Sequence, residues 1–308
     1  MADSESVDIA IIGSGMGGAT LAAGLAPTGA RIVILERGER LTDSADARDA
    51  RAIFQRGVFR PQEAWIDGAG AEFNPGAYYY VGGASKLYGA VLIRYRAQDF
   101  APIEHAEGAT PGWPFPYAEL EPWYGLAERL YQVRGAIGED PTEPMHSSPY
   151  LHPPVPDEPA IVRVRERLKR VGLHPFSLPL GIDIEAWLER APTPWDAFPD
   201  TRSGKMDAET CGLKSALAHS NVTIRTGAKA ERILIEPGAK RVSGLEYAQQ
   251  GQTRTLTAKL VAICAGAVNS AALLLRSADG GLANASGLVG RNFMNHNCSA
   301  ALAIDPRA

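Results

Sequence analysis

The residues that most clearly predict chemistry stand near the start of the chain, in the run Gly13-Ser14-Gly15-Met16-Gly17-Gly18. The run fits the pattern G-x-G-x-x-G and lies between an apolar, β-branched segment and a segment that suits a helix, so it predicts a strand-to-helix turn. Gly13 permits the tight turn, Gly15 lets a pyrophosphate approach the backbone, and Gly18 lets the helix pack on the sheet. The N-terminus of that helix faces the phosphate charge. The turn therefore predicts a dinucleotide-binding site.

An acidic residue stands where such a turn needs one. Glu36 ends a second apolar segment, 31–36, which is rich in Ile and Val. A carboxylate at this point accepts hydrogen bonds from the hydroxyls of an adenosine ribose and repels a 2′-phosphate, which disfavours NADP. A glycine turn beside a surface Glu36 is the weaker interpretation, because strand, turn, helix, strand and acid occur together. The motif does not separate FAD from NAD, since both contain an ADP half.

Two further segments combine glycine with other small residues. The segment 81–90 contains Gly82-Gly83, and paired glycines permit close approach of the backbone to a flat ligand, while Ser85 adds a hydroxyl. In the segment 261–270, a buried strand runs into Ala265-Gly266 and then into a helix. Each segment alone is typical of a tight turn without a ligand. An NAD-linked dehydrogenase leaves both unexplained, so together they favour a flavin.

No catalytic constellation is visible in the sequence. The six histidines, His105, His146, His152, His174, His219 and His296, have no partner at a recognisable catalytic spacing. No G-x-S-x-G nucleophile elbow occurs, which leaves an α/β-hydrolase without support. The three cysteines, Cys211, Cys264 and Cys298, are widely spaced and form no C-x-x-C, so neither a disulfide framework nor a metal site is predicted.

In combination, these segments resemble the glucose–methanol–choline (GMC) family of oxidoreductases, and the resemblance covers nearly the whole chain. The stretches that carry it are 12–18, 35–38, 80–90, Trp113-Pro114 with Tyr117, 207–209, 221–233, 265–270 and 289–296. The stretch 79–96 especially resembles a bacterial branch that acts on sugars or other alcohols. The resemblance implies hydride transfer from a CH–OH group to a flavin, with a base assisting loss of the hydroxyl proton.

The resemblance also implies where FAD binds. The cofactor-binding set that it gives is Gly13, Ser14, Gly15, Gly18, Glu36, Arg37, Gly82, Gly83, Ser85, Gly89, Ala230, Ala265, Gly266, Ser270, Asn292 and His296. The glycines of the first turn are expected at the pyrophosphate, Glu36 at the ribose, and the backbone of Ala230 at the adenine. Some relatives attach FAD covalently through a histidine just after the paired glycines. Leu87 occupies that position here, so non-covalent FAD is expected.

The family's catalytic base is a histidine, paired with His or Asn, in a segment that is expected beyond residue 308. The chain is therefore expected to be an N-terminal fragment of an FAD-dependent oxidoreductase, inactive on its own. A small alcohol or sugar is the expected substrate, and oxygen, a quinone and a cytochrome all stay open as electron acceptor. Two alternatives remain: a non-catalytic FAD-binding remnant and, less favoured, an NAD-dependent dehydrogenase.

Hydrophobic periodicity predicts an α/β fold with a discontinuous organisation. Residues 1–100 and 200–297 are predicted to form a Rossmann-like FAD-binding domain, a parallel sheet with helices plus a small antiparallel sheet. Residues 101–199 hold most of the prolines and aromatic residues, and they predict a largely helical and loop insertion that contributes to the substrate domain. Residues 298–308 are predicted to be the first strand of a truncated substrate-domain sheet.

Composition limits the classes of partner and location. A chain of 308 residues suits about two domains. The formal net charge of -4 and the isoelectric point of about 5.9 argue against nucleic acid or an anionic membrane as the main partner. The sequence shows no secretory signal and no apolar run of the roughly 18 residues that a membrane span needs. A cytoplasmic protein is therefore expected.

Overall fold

A computed structural model of the chain describes residues 5–191, 193–238 and 241–294. Its strands are β1 (Glu5–Ile12), β2 (Ile32–Leu35), β3 (Trp65–Ile66), β4 (Glu72–Phe73), β5 (Ile103–His105), β6 (Gly108–Thr110), β7 (Val222–Arg225), β8 (Ala228–Ile235), β9 (Val242–Gln249) and β10 (Gln252–Ile263). Its α-helices are α1 (Met16–Leu25), α2 (Tyr117–Leu130), α3 (Pro159–Arg170), α4 (Ile184–Arg190), α5 (Lys214–Leu217) and α6 (Ala267–Ser277). Within these ranges, no helix is both long enough and apolar enough to cross a membrane.

Six strands form one sheet in the order β7-β2-β1-β10-β9-β8. The first four are parallel neighbours, and β10, β9 and β8 pair in antiparallel fashion. The predicted α/β, Rossmann-like class is confirmed, and the antiparallel strands extend the parallel sheet. This extension is possible because β10 changes partner along its length: residues 252–257 pair with β9 and residues 256–263 pair with β1.

Successive side chains of a strand point to opposite faces, which gives this sheet two apolar faces. On one face, Ile11 and Ile34 pack with α1 and with the helical segment 208–217. On the other face, Ile12 and Leu35 pack with residues of α6, β8 and β9. Because both faces are covered, β1 and β2 read in the sequence as nearly continuous apolar runs. The dinucleotide turn lies at the end of β1, between the two layers.

The sequence pattern predicts separate strands at 256–257 and 260–264, but the structure has one continuous strand, β10. The predicted break includes Lys259, whose side chain is exposed although the backbone on both sides of it pairs with β1. Burial alternates in the first part of the strand, where Leu256 and Ala258 are buried. The interruption of the apolar pattern therefore reflects the exposure of this part of the strand rather than its end.

The sequence pattern predicts a helix at 43–56, and this prediction is wrong in length, because two short turns occupy the range. Residues 45–48 form a 3-10 turn, and 51–56 form a π-helical turn. Between them, Asp49 Oδ1 accepts a hydrogen bond from the backbone N–H of Arg51 at 2.9 Å. Such a bond from a side chain to the nearby backbone competes with helix continuation, and propensity alone did not reveal it.

The region 101–199 contributes α2, α3, α4 and the β5–β6 hairpin. Arg94, which precedes this region, is buried, and its guanidinium contacts Glu121 and Glu128 of α2. Helix α3 has no buried residue. It ends before Gly172, where the sequence predicts a helix stop and where φ is 82°. The boundary of this region as a separate unit stays a prediction. The strand predicted at 298–308 lies outside the described residues.

Candidate cofactor-binding site

The first turn is as tight as its glycines predict. Gly13 has a φ of 99°, and a Cβ added to it would lie 2.4 Å from the carbonyl oxygen of Cys264. A Cβ added to Gly18 would lie 2.0 Å from the carbonyl oxygen of Gly13. Because real Cβ atoms do not approach so closely, both positions require glycine. The turn also closes onto β10, since Cys264 N donates to the carbonyl oxygen of Ile12 at 2.8 Å.

Gly15 differs from Gly13 and Gly18 because an added Cβ would not clash. It would meet only Gly82 O and Gly83 Cα, both at the van der Waals distance of 4.0 Å. Gly15 is also the N-cap of α1 and has no side chain to satisfy the first-turn N–H groups. Those N–H groups and the positive end of the helix dipole attract an anion. The backbone at Gly15 is therefore shaped to receive a phosphate group.

Glu36 organises the turn in addition to the ribose role that the sequence predicts. Its Oε2 accepts hydrogen bonds from Ser14 N at 3.0 Å and from Ser14 Oγ at 2.6 Å. Its Oε1 accepts one from Gly38 N at 2.9 Å. An ionised carboxylate offers about four acceptor positions, so Oε1 retains capacity for a ribose hydroxyl. Glu36 is 5% exposed, and the structure thus places it against the turn.

The second glycine segment lies directly against the first turn. Gly82 N donates to Ser14 Oγ at 3.1 Å, and a Cβ added to Gly83 would lie 3.1 Å from Gly15 Cα. Ser85 is buried, and its Oγ donates to Gly82 O at 2.6 Å. The hydroxyl of Ser85 therefore holds the shape of its own segment. The two glycine segments, 68 residues apart between Ser14 and Gly82, form one backbone surface.

The third segment adds a second helix N-terminus at the same edge of the sheet. Because β1 and β10 are parallel neighbours, with Ile12 opposite Ile263, the helices that follow them both begin at this edge. Gly266 precedes α6 with a φ of 77°, and nothing lies within 4 Å of the position where its Cβ would stand. Ligands of open α/β sheets bind at the carboxyl ends of such strands. Ala265, Gly266 and Ser270 are therefore close to the first turn.

Arg37 joins the ribose side of the site to the start of α6. Its guanidinium stacks on the Tyr79 ring, 3.7 Å from the ring centroid, and its Nη2 lies 2.7 Å from Glu63 Oε2. Tyr79 Oη donates to Glu63 Oε1 at 3.2 Å and accepts from Asn269 Nδ2 at 3.4 Å. These contacts connect Arg37, through Tyr79, to Asn269 in the first turn of α6.

The remaining predicted residues are less closely gathered. Ala230 lies on β8, and its carbonyl oxygen accepts from Arg276 Nη2 at 3.0 Å. A Cβ added to Gly89 would meet the Asp196 carboxylate at 2.8 Å rather than the glycine turns. Asn292 is exposed and has a φ of 58°. His296 lies outside the described residues. The cofactor roles of all these residues stay predictions.

Buried charges behind the second glycine segment were missed in the sequence. Lys86 Nζ lies 2.8 Å from Asp207 Oδ2 and 3.1 Å from Glu209 Oε2. Burial alone would lower the pKa of Lys86, but the carboxylates of Asp207 and Asp200 outweigh burial and raise that pKa. Both segments stood out in the sequence, but Lys86 and Asp207 are 121 positions apart, so their pairing could not be recognised there.

A second buried lysine lies beside this cluster. Lys205 Nζ donates to the carbonyl oxygens of Tyr88 at 2.6 Å and Phe198 at 2.7 Å. Burial lowers the pKa of Lys205 to about 8 from the ordinary value of 10.5. In the interval between these values, the unfolded chain holds a proton that the folded chain has lost.

Stability is therefore expected to rise with pH between about 8 and 10.5, because the unfolded state binds more protons there. At 1.36 kcal/mol per unit, Lys205 contributes up to about 3 kcal/mol to this rise. We expect Lys205→Met to lack this rise in stability, whatever its absolute stability, when its free energy of unfolding in urea is measured between about pH 8 and 10.5. The exposed Lys229→Met should keep the rise. Parallel pH curves for Lys205→Met and the unchanged chain would show that Lys205 has an ordinary pKa.

Two family models match parts of the chain that carry these features. A model described as GMC oxidoreductase matches residues 196–298. A model described as NAD(P)-binding Rossmann-like domain matches residues 11–59, which include the first turn and Glu36. Together the matches indicate a flavin or dinucleotide cofactor.

Relatives match along most of the chain. The 6'''-hydroxyparomomycin C oxidase of Streptomyces lividus is 32% identical over 302 residues, which are 93% of this chain and 54% of that relative. The 2-methyl-1,2-propanediol dehydrogenase of Mycolicibacterium austroafricanum is 27% identical. The match includes 95% of this chain and 55% of that relative. Among solved structures, pyridoxine 4-oxidase from Mesorbium loti has a TM-score of 0.56 at 23% identity, covering 88% of this chain and 52% of that one.

The chain spans about half the length of the curated relatives that it matches. The structural match supports the fold, and the sequence matches support the kinship. Further bacterial relatives carry the name GMC-type oxidoreductase, at 29% identity over 90% of this chain. A GMC oxidoreductase domain is therefore shown at residues 196–298, and the chain is similar to GMC-type oxidoreductases along most of its length.

Proposed function

We propose that the chain provides the FAD-binding part of an oxidoreductase that acts on CH–OH groups of alcohols or sugars. The observation that carries the proposal is the single backbone surface formed by Gly15, Gly82 and Gly83, with the N-terminus of α1 beneath it. This surface suits a pyrophosphate next to an extended planar group. A surface with glycines on both sides is more than the ADP half of a dinucleotide requires.

The residues present fit FAD in three respects. The lack of a side chain at Gly15 leaves space for the pyrophosphate, Oε1 of Glu36 keeps acceptor capacity for the ribose, and Gly266 leaves open space at the start of α6. FAD, when bound, supplies the acceptor for the hydride of the substrate. The chain's own part is to bind the diphosphate through backbone N–H groups, to orient the ribose and to hold the ring system beside Gly82-Gly83.

The substrate class is proposed from the names of the relatives. Those relatives include an oxidase of a hydroxyparomomycin and a dehydrogenase of a propanediol, and both names denote oxidation of hydroxyl-bearing compounds. The resemblance implies that the catalytic histidine belongs to a C-terminal segment of these enzymes, and the chain spans 54% of the length of the hydroxyparomomycin oxidase. The isolated chain is therefore expected to bind FAD without turning over an alcohol.

A second candidate, an NAD-dependent dehydrogenase, is favoured by the Rossmann-like match at residues 11–59. It uses the first turn and Glu36 in the same way, but it gives no role to Gly83 or Gly266. A non-catalytic FAD-binding remnant would use all three segments and differ only in activity. The identity of the bound cofactor distinguishes the NAD-dependent dehydrogenase from the proposed function. Activity of a longer polypeptide that includes the histidine segment distinguishes the non-catalytic remnant from it.

The visible spectrum of the purified chain, taken before and after acid precipitation, tests the proposal. We expect flavin absorbance that moves entirely to the supernatant, because Leu87 offers no nucleophile for a covalent link. Colour that remains in the pellet would contradict the non-covalent assignment. A folded chain, verified by circular dichroism, that binds NAD but no added FAD would overturn the proposal in favour of the dehydrogenase.

A further inference from the structure

A buried ion pair supports the second glycine segment from behind. The side chains of Lys86 and Asp207 are 5% and 0% exposed, and Glu209 completes the cluster. Apart from the ionic contact with Lys86, Asp207 Oδ2 has no hydrogen-bond partner among the described residues. Buried charges are retained only when they compensate one another. Lys86 and Asp207 therefore depend on each other, and the backbone around them must keep them in contact.

That backbone is the glycine segment itself. A Cβ added to Gly82 would lie 3.0 Å from Lys86 Cδ, so Gly82 packs directly on the lysine side chain. On its other side, Gly82 N donates to Ser14 Oγ, and Gly83 touches Gly15. The glycine segment is thus held between the ion pair and the first turn. Lys86 therefore packs against the same glycine segment that contacts the first turn through Ser14 and Gly15.

Asp207 fixes the other end of this support. Its Oδ1 accepts from Thr210 N at 2.7 Å, which caps the helical segment that begins at Ala208. Ala208 N in turn donates to Ser85 Oγ at 3.1 Å. The start of the helical layer therefore contacts the glycine segment twice, through the ion pair of Asp207 with Lys86 and through the hydrogen bond from Ala208 N to Ser85 Oγ.

We propose that Lys86 and Asp207 are positioning residues for the diphosphate group of the bound dinucleotide. They act through the backbone of Gly82-Gly83, which together with Gly15 forms the surface that would face the diphosphate. The adenosine end is expected at Glu36 Oε1, which bonds Gly38 rather than the glycine segment, so the ion pair should affect diphosphate binding more than adenosine binding. This inference rests on the proposed function, in that the first turn is taken to bind FAD.

Asp207→Asn, made in the 308-residue chain, tests the inference because it keeps the capping oxygen and removes the charge. Dissociation constants are measured by calorimetry for FAD, ADP and AMP. We expect binding of FAD and ADP to weaken at least about tenfold, as loss of well-placed contacts to a charged group implies, and binding of AMP to change less than about twofold. Equal weakening of all three ligands, or no weakening, would overturn the positioning role.

Glu128→Gln is the matched control, because Glu128 also forms a buried ion pair, with Arg94, but it lies in α2 away from the glycine segments. It should leave the ratio of ADP to AMP affinity unchanged. If Asp207→Asn does not fold, Lys86→Gln carries the same test. If the unchanged chain binds ADP but not FAD, the proposed function is refuted. The effect of Asp207→Asn on the ratio of ADP to AMP affinity would then still test the positioning role of the ion pair. Failure to bind ADP would refute both.

Discussion

Gly15→Ala is expected to remove most of the affinity for FAD while leaving the fold intact. The backbone at Gly15 has a φ of -67° and a ψ of -172°, which alanine adopts freely, and the new methyl group would meet no atom closer than 4.0 Å. The methyl group would instead occupy the space proposed for the diphosphate. We expect the FAD dissociation constant to rise at least about tenfold, while unfolding in urea changes by less than about 1 kcal/mol.

Two other glycines of α1 provide matched controls. Gly18→Ala would place a Cβ 2.0 Å from the carbonyl oxygen of Gly13, so this change should destabilise the fold by about 1–3 kcal/mol or more. Gly24→Ala has no atom within 4 Å of the new Cβ, and the helix propensity of alanine should stabilise it by up to about 1 kcal/mol. An unchanged FAD affinity in folded Gly15→Ala would mean that the diphosphate binds elsewhere.

Arg94→Met is expected to destabilise the chain by about 3–5 kcal/mol, because it strands buried carboxylates. Arg94 donates to Glu128 through Nε at 2.6 Å and Nη2 at 2.7 Å, and its Nη1 donates to Glu121 at 3.1 Å and to Tyr117 Oη at 2.8 Å. The side chains of Glu121 and Glu128 are 5% and 8% exposed, so water cannot replace the guanidinium. The urea midpoint measures the loss.

Arg56→Met is the control for the loss of an arginine as such. Arg56 is 53% exposed and pairs with Asp46 at 3.0 Å and Asp49 at 3.3 Å, both near the surface. Exposed pairs contribute about 1 kcal/mol or less, so the urea midpoint should hardly move. Similar losses for both variants would mean that Arg94 contributes through packing of its stem rather than through the buried ion pairs.

The local parts of the site were predictable from the sequence. The first turn, its flanking strands and Glu36 lie within 32 residues, so the glycine spacing of this unit can be recognised directly in the sequence. Helical spacing of apolar residues likewise predicts helices at 117–133 and 157–171, and α2 and α3 agree with these bounds to within a few residues. Patterns that arise from local backbone geometry can therefore be recognised from the sequence alone.

The parts that depend on distant residues were not predictable. Nothing in the sequence near Lys86 indicates that Asp207 neutralises it, because the contact depends on how the helical segment packs behind the sheet. Ser85 was interpreted as a hydroxyl for a ligand, yet it bonds to Gly82 and Ala208. A short polar side chain beside glycines suits both roles equally, and only the packing distinguishes them. The domain boundaries and the individual cofactor contacts stay predictions.

The pairing of β1 with β10 has a consequence for the order of events during synthesis. The ribosome produces β1 and its turn first, yet β1 pairs on one side with β10, where Glu5 lies opposite Leu256, and Gly13 packs against Cys264. Contacts between such distant residues close late and slowly. During synthesis, one edge of β1 therefore stays unpaired until β10 has emerged from the ribosome. The cofactor surface is completed late, although the first turn is synthesised early.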